Sequence, residues 1–204
     1  MSASPALEFW YDFASTYSYL SAVRIEDMAD RAGVSVRWRP FLLGPIFAAQ
    51  GWSSSPFNLF PAKGRHMWRD MERQVAGSEL PPLVRPDPFP QNSLLAARVG
   101  LVGAEAGWLP DFTRSLFRAE FAEGASISDP AVLSRILTAL ALDPEAVLAE
   151  AGREPIKSAL RRETDKAQAL GVFGAPSFLT PDGELFWGND RLADAIAWTA
   201  ERAG

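Results

Sequence analysis

One serine stands where a reactive residue would have to stand. In the run Asp12-Phe13-Ala14-Ser15-Thr16-Tyr17-Ser18-Tyr19-Leu20, Ser15 lies between an apolar, strand-like segment (Leu7 to Tyr11) and the start of a helical pattern. At such a start, unpaired backbone N–H groups and the positive end of the helix dipole converge and favour an anion. Far along the chain, Gly174-Ala175-Pro176 precedes another strand-like run, Ser177 to Thr180. An X-Pro bond there can be cis, leaving the Ala175 N–H and C=O to pair with an extended, peptide-like ligand. The plainer alternative is a trans proline opening a strand. The chain has no cysteine, so disulfide chemistry is excluded and any thiol must be brought by another molecule. The Ser15 hydroxyl then has two readings. It caps the helix, or it donates a hydrogen bond to a bound thiolate and, with the dipole, draws the thiol pKa toward neutrality. A serine nucleophile would need a base, and the single histidine, His66, belongs to another segment.

Three further groups carry charge or aromatic surface. Asn189 and Asp190, after Gly188, either cap the last helix or hold a ligand. Free N–H groups there suit a carboxylate, and the Asp190 carboxylate suits an ammonium group. Those are the two charges of a γ-glutamyl terminus. Lys63, Arg65 and Arg69 put positive charge near a helix start, where the dipole disfavours it. They solvate a face, or Lys63 binds a carboxylate. Most of the seven tryptophans build core, while Trp10, Trp52 and Trp187 lie near the candidate site in sequence and can stack on an aromatic substrate.

The elements that must position these residues follow from periodicity. Leu7 to Tyr11 reads as a buried strand, Ser15 to about Gly33 as a helix, and Val34 to Arg39 as an alternating strand. Pro40 to Phe60 reads as loop-rich, and Lys63 to Val75 as an amphipathic helix. The five prolines between Pro81 and Pro90 demand an extended loop, and Asn92 can cap a helix from Ser93 to about Val102. Asp129-Pro130 and Asp143-Pro144 read as helix starts, and Ile156 to Leu170 as a helix stopped by Gly171. No strand pattern appears from about residue 44 to 170. Strands return as a hairpin, Ser177 to Thr180 and Glu184 to Trp187 around Pro181-Asp182-Gly183, before a closing helix from Asp190 to about Arg202.

Composition narrows the class. The chain has 204 residues, 48% of them hydrophobic and 22% charged, enough to bury a sizeable core. A net charge of -5 without an extended basic cluster argues against nucleic acid, and one histidine without cysteine argues against a metal site. Met1 to Pro5 lacks a basic region, and no run reaches the roughly 18 apolar residues of a membrane span, so a cytoplasmic protein is expected.

Taken together, several stretches match a family in order along the chain. They are Tyr11 to Leu20, Pro40-Phe41-Leu42-Leu43-Gly44, Pro61-Ala62-Lys63-Gly64-Arg65, Pro88 to Ser93, Gly171 to Pro176 and Phe186 to Leu192. The sequence resembles the 2-hydroxychromene-2-carboxylate isomerase family, relatives of kappa-class glutathione transferases in the DsbA branch of the thioredoxin superfamily. The resemblance implies an α/β, thioredoxin-like fold, β-α-β … β-β-α with a four-stranded sheet, interrupted by an all-helical insertion. The discontinuous thioredoxin-like domain would comprise residues 1–43 and 171–204, and the insertion 44–170. It also implies glutathione as cofactor, a small aromatic carboxylate as substrate and a homodimer. Carried over, Ser15 is the catalytic serine that stabilises the thiolate, and Ala175, beside cis Pro176, pairs with the cysteinyl backbone. Asn189 and Asp190 hold the γ-glutamyl end, and Lys63 takes a carboxylate. Thr16 stands where the family commonly has proline, and His66 where tyrosine is common. The loop Gly51 to Phe60 is longer than usual, so the family's glutathione-binding asparagine corresponds to Asn58, or its role passes to Ser54. The expected activity is glutathione-dependent isomerisation. Irreversible conjugation by a kappa-like transferase and non-catalytic glutathione binding are the alternatives.

Overall fold

The computed structural model describes residues 4–202, so the first three residues of the N-terminal segment lie outside the described residues. Strand β1 (Ala6–Tyr11) leads through helices α1 (Thr16–Ala22) and α2 (Ile25–Arg31) to β2 (Ser35–Pro40). Eight helices follow: α3 (Leu43–Ala49), α4 (Pro56–Leu59), α5 (Pro61–Ala76), α6 (Leu94–Ala106), α7 (Leu109–Glu123), α8 (Pro130–Ala139), α9 (Pro144–Ala151) and α10 (Glu154–Ala169). The chain closes with β3 (Ser177–Leu179), β4 (Leu185–Trp187), a 3-10 turn (Asn189–Arg191) and α11 (Leu192–Glu201). The four strands form one sheet in the order β2-β1-β3-β4, with β1 parallel to β2 and antiparallel to β3. This is a thioredoxin-like fold, and among the described residues no strand interrupts the helices between β2 and β3.

Alternation along β1 divides the core. Leu7, Phe9 and Tyr11 join the main apolar cluster, where Phe9 stacks on Tyr11 at 4.8 Å and on Phe178 at 5.5 Å between ring centroids. Helix α7 lays Phe117 and Phe121 against the same cluster, with Tyr19 of α1 stacked on Phe121 at 5.6 Å. Trp10 belongs to the other face, with Phe41, Ile46, Ala167 and Val172, and there α10 covers the sheet. Trp10 is fully buried in this cluster, against which Leu43 and Ala175 pack, so it lies behind the candidate site and offers no exposed ring for a substrate to stack on. Successive side chains of a strand point to opposite faces, and Tyr11, not Trp10, shares the face of α1.

The helix expected from Ser15 to Gly33 is two helices. Between them Arg24 turns its guanidinium back to the Leu20 carbonyl (3.0 Å) and across to Asn189. The segment Pro40 to Phe60, read as loop, contains α3 and α4. Caps act largely as expected. The Asp129 carboxylate accepts from Ala131 N (2.9 Å), and the Asp143 carboxylate from Glu145 N (3.0 Å). Asn92 acts one residue before the helix boundary, accepting from Leu94 N at 3.0 Å.

Candidate active site

Ser15 is the N-cap of α1, with an extended backbone (φ -92, ψ 116) that lets its Oγ accept from Ser18 N at 3.3 Å. The same Oγ donates to the Ala175 carbonyl at 3.1 Å, and the Ala175–Pro176 peptide is cis. One hydroxyl thus bridges the helix start and the turn before β3, two segments far apart in the chain. Gly188 N donates to the Pro176 carbonyl at 3.0 Å, which ties the turn after β4 to the same place.

Asp12 holds the turn before Ser15. Its buried carboxylate accepts from Ala14 N (2.9 Å) and Leu43 N (2.8 Å), fastening the starts of α1 and α3 together. Burial raises its pKa, against the pull of those hydrogen bonds. Glu120 of α7 is also buried, and neither of its carboxyl oxygens has a hydrogen-bond partner among the described residues. Burial, and secondarily the charge of Asp12, lifts its pKa well above the usual carboxylate range.

A cavity of about 1580 Å³ opens in front of Ser15. Ser15, Lys63, Ala175, Pro176, Asn189 and Asp190 all line it, which brings six of the seven residues selected from sequence into one space. Asn58 is not part of the lining. Its amide is engaged by Ser54 Oγ (3.3 Å) and the Phe89 carbonyl (3.0 Å), while Ser54 itself reaches the wall. Lys63 sits in the first turn of α5 with its Nζ 4.6 Å from the centre of the Phe60 ring. Trp52 and Trp187 line the cavity, and Trp187 packs against Phe173 at 4.9 Å. Gly174 permits this: a Cβ there would approach Trp187 Nε1 to 2.4 Å. His66 is exposed and outside the lining.

Asn189 does not cap α11, and its side chain is engaged within the protein. Its Oδ1 accepts from Ser21 Oγ (2.9 Å) and Arg24 Nη2 (2.8 Å), and its Nδ2 donates to Gln74 Oε1 (2.9 Å). Gln74 in turn donates to Asp70 (2.7 Å), which also accepts from the Tyr17 hydroxyl (3.0 Å). This chain of bonds ties α1, α5 and the 3-10 turn into one wall. Nothing in the sequence separates Tyr17, Asp70 and Gln74 from ordinary helix-surface residues. Asp12 had a visible signal, a lone acid closing an apolar strand.

The DsbA-like thioredoxin domain model matches residues 6–196. The chain is 31% identical over 188 residues to a 2-hydroxychromene-2-carboxylate isomerase of Sphingobium xenophagum, covering 91% of this chain and 93% of the relative. It is 26% identical over 201 residues to glutathione S-transferase kappa 1 of Caenorhabditis elegans, covering 92% and 88%. Among solved structures, a selenomethionine 2-hydroxychromene-2-carboxylate isomerase superposes with a TM-score of 0.84 at 23% identity, over 97% of this chain and 96% of the other.

Proposed function

The chain belongs to the DsbA-like thioredoxin family, and from that premise we propose that it is a glutathione-dependent isomerase of a conjugated aromatic carboxylate. The observation that carries the reading is the Ser15 hydroxyl, held at a helix start beside the Ala175 backbone and facing a cavity far larger than a serine cap requires. The residues fit glutathione. Lys63 and Asp190 supply opposite charges for its carboxylate and ammonium groups, and Ala175 offers backbone groups for its cysteinyl unit. Asn189 contributes its backbone, because its amide is already taken, and Asn58 acts through Ser54 as a positioning residue.

When bound, glutathione would supply a thiolate nucleophile for reversible addition to the conjugated system, unchanged over the cycle. Ser15 would turn its O–H from the Ala175 carbonyl toward a bound thiolate, while Ser18 N–H still donates to Oγ and passes on the polarity of the helix start. Asp12 fixes the turn that aims this hydroxyl. Trp52, Trp187 and Phe173 supply aromatic surface for the substrate ring.

The similarity to a kappa-class transferase supports a second reading, in which the sulfur stays on the product. Mass spectrometry of glutathione after many turnovers separates the two. Recovery of unmodified glutathione is the expected result, and a stoichiometric conjugate would replace the isomerase with the transferase. Calorimetric titration that finds no glutathione binding would overturn both.

A further inference from the structure

A second, smaller cleft of about 180 Å³ lies between α6 and α10, sharing Leu42, Pro45 and Leu94 with the wall of the large cavity. Arg98 of α6 and Lys157 and Arg161 of α10 border it, and Asp165 is its single acidic residue. Among the described residues Arg161 is paired with Glu154, whose charge also acts on Lys157, and Arg98 has no ion-pair partner. Arg98 Nε is shielded from solvent and has no hydrogen-bond partner among the described residues. Neither Arg98 nor Lys157 takes part in an ion pair there, and Arg161 reaches only Glu154, at 3.1 Å. Other arginines of this acidic chain do find carboxylates, as Arg39 does with Glu8 at 2.7 Å and Arg135 with Glu123 at 2.9 Å. Lys157 and Arg161 stand four residues apart on one helix, a like-charge spacing that weakens the helix unless an anion lies between them.

We infer that this cleft binds a small oxyanion, a carboxylate or phosphate group, between Arg98, Lys157 and Arg161. The volume suits a group of that size, and the guanidinium and ammonium donors suit its oxygens. The cleft is separate from Ser15, so this inference stands whether or not glutathione is the cofactor.

The test is titration of the intact protein with inorganic phosphate and, separately, with acetate, followed at low salt by calorimetry and by NMR shifts of α10 amides. Saturable one-to-one binding of either anion is expected, weakening as salt is raised. Phosphate alone saturating would identify a phosphate site, and both saturating a general carboxylate or phosphate site. Lys157→Gln and Arg161→Gln should each weaken binding roughly tenfold, the scale of one lost charge-assisted hydrogen bond. Asp165→Asn should strengthen it, because it removes the one carboxylate that lines the cleft. These side chains are partly or fully exposed, so the variants should fold, and their glutathione affinity should equal that of the wild type. Absence of saturation, or equal affinity in all three variants, would overturn the inference.

Discussion

The Ser15 hydroxyl is held between a donor, Ser18 N, and an acceptor, the Ala175 carbonyl, so its proton can be redirected without moving the backbone. Ser15→Ala should therefore lower turnover much more than glutathione affinity. Losing a hydrogen bond to a charged group costs roughly 1.5–3 kcal/mol, about ten- to a hundredfold in rate. The pKa of the bound thiol, followed by thiolate absorbance, should rise in the variant. Equal pKa values would reduce Ser15 to a helix cap. Asp190 and Asn189 should part company. Asp190 is exposed, with only a long 3.6 Å contact to Arg191, so Asp190→Asn should weaken glutathione binding about tenfold and leave stability unchanged. Asn189→Ala strips partners from Ser21, Arg24 and Gln74, and buried groups left unpaired cost roughly 1–3 kcal/mol. A urea titration that shows Asn189→Ala as stable as the wild type would remove its role as the tie between α1 and α5.

At the scale of elements, what was legible in the sequence is what local chemistry dictates. Alternation marked β1 and β2, aspartate-proline pairs marked α8 and α9, and Ser15 marked the start of α1. Elements held by distant partners were hidden. The break between α1 and α2 coincides with Arg24 reaching Asn189, and α3 is masked in the sequence because Gly44-Pro45 resembles a turn. Proline in a helix's first turn needs no N–H, so α3 tolerates it. The site was legible as positions and less so as roles, since Asn189 and Asn58 have their amides fixed by residues that no local pattern connects to them. Helix α7 adds a feature with a measurable consequence. Glu120 is buried, and its folded pKa lies well above the ordinary 4.5 of a glutamate. The folded state therefore keeps a proton that the unfolded state releases, and stability falls as pH rises above about 4.5 toward the folded pKa. Urea midpoints should decline over that range in the wild type. Glu120→Gln, which mimics the protonated acid, should flatten the decline while changing little at the acid end. An identical pH slope in both proteins would mean that Glu120 ionises at its ordinary pKa.

At the scale of the whole molecule, treating residues 44–170 as an insertion domain, with residues 1–43 and 171–204 as the discontinuous remainder, is a proposal about topology that the packing constrains. The principal apolar cluster draws Leu7, Phe9 and Tyr11 from β1, Phe117 and Phe121 from α7, Leu133 and Leu137 from α8, and Phe178 and Leu192 from beyond the helices. Phe117 alone lies near Tyr11, Phe13, Tyr19 and Phe121, with ring centroids between 5.6 and 6.2 Å. With aromatic packing running from sheet to helices without a seam, neither portion can lose its structure and leave the other's core intact. Urea unfolding should be a single transition, coincident when followed by far-ultraviolet circular dichroism and by tryptophan fluorescence. Phe117→Ala should lower stability by roughly 3–5 kcal/mol and move both probes together. Two separated transitions, or a shift of one probe without the other, would show that the helical segment is an independent folding unit despite the shared core.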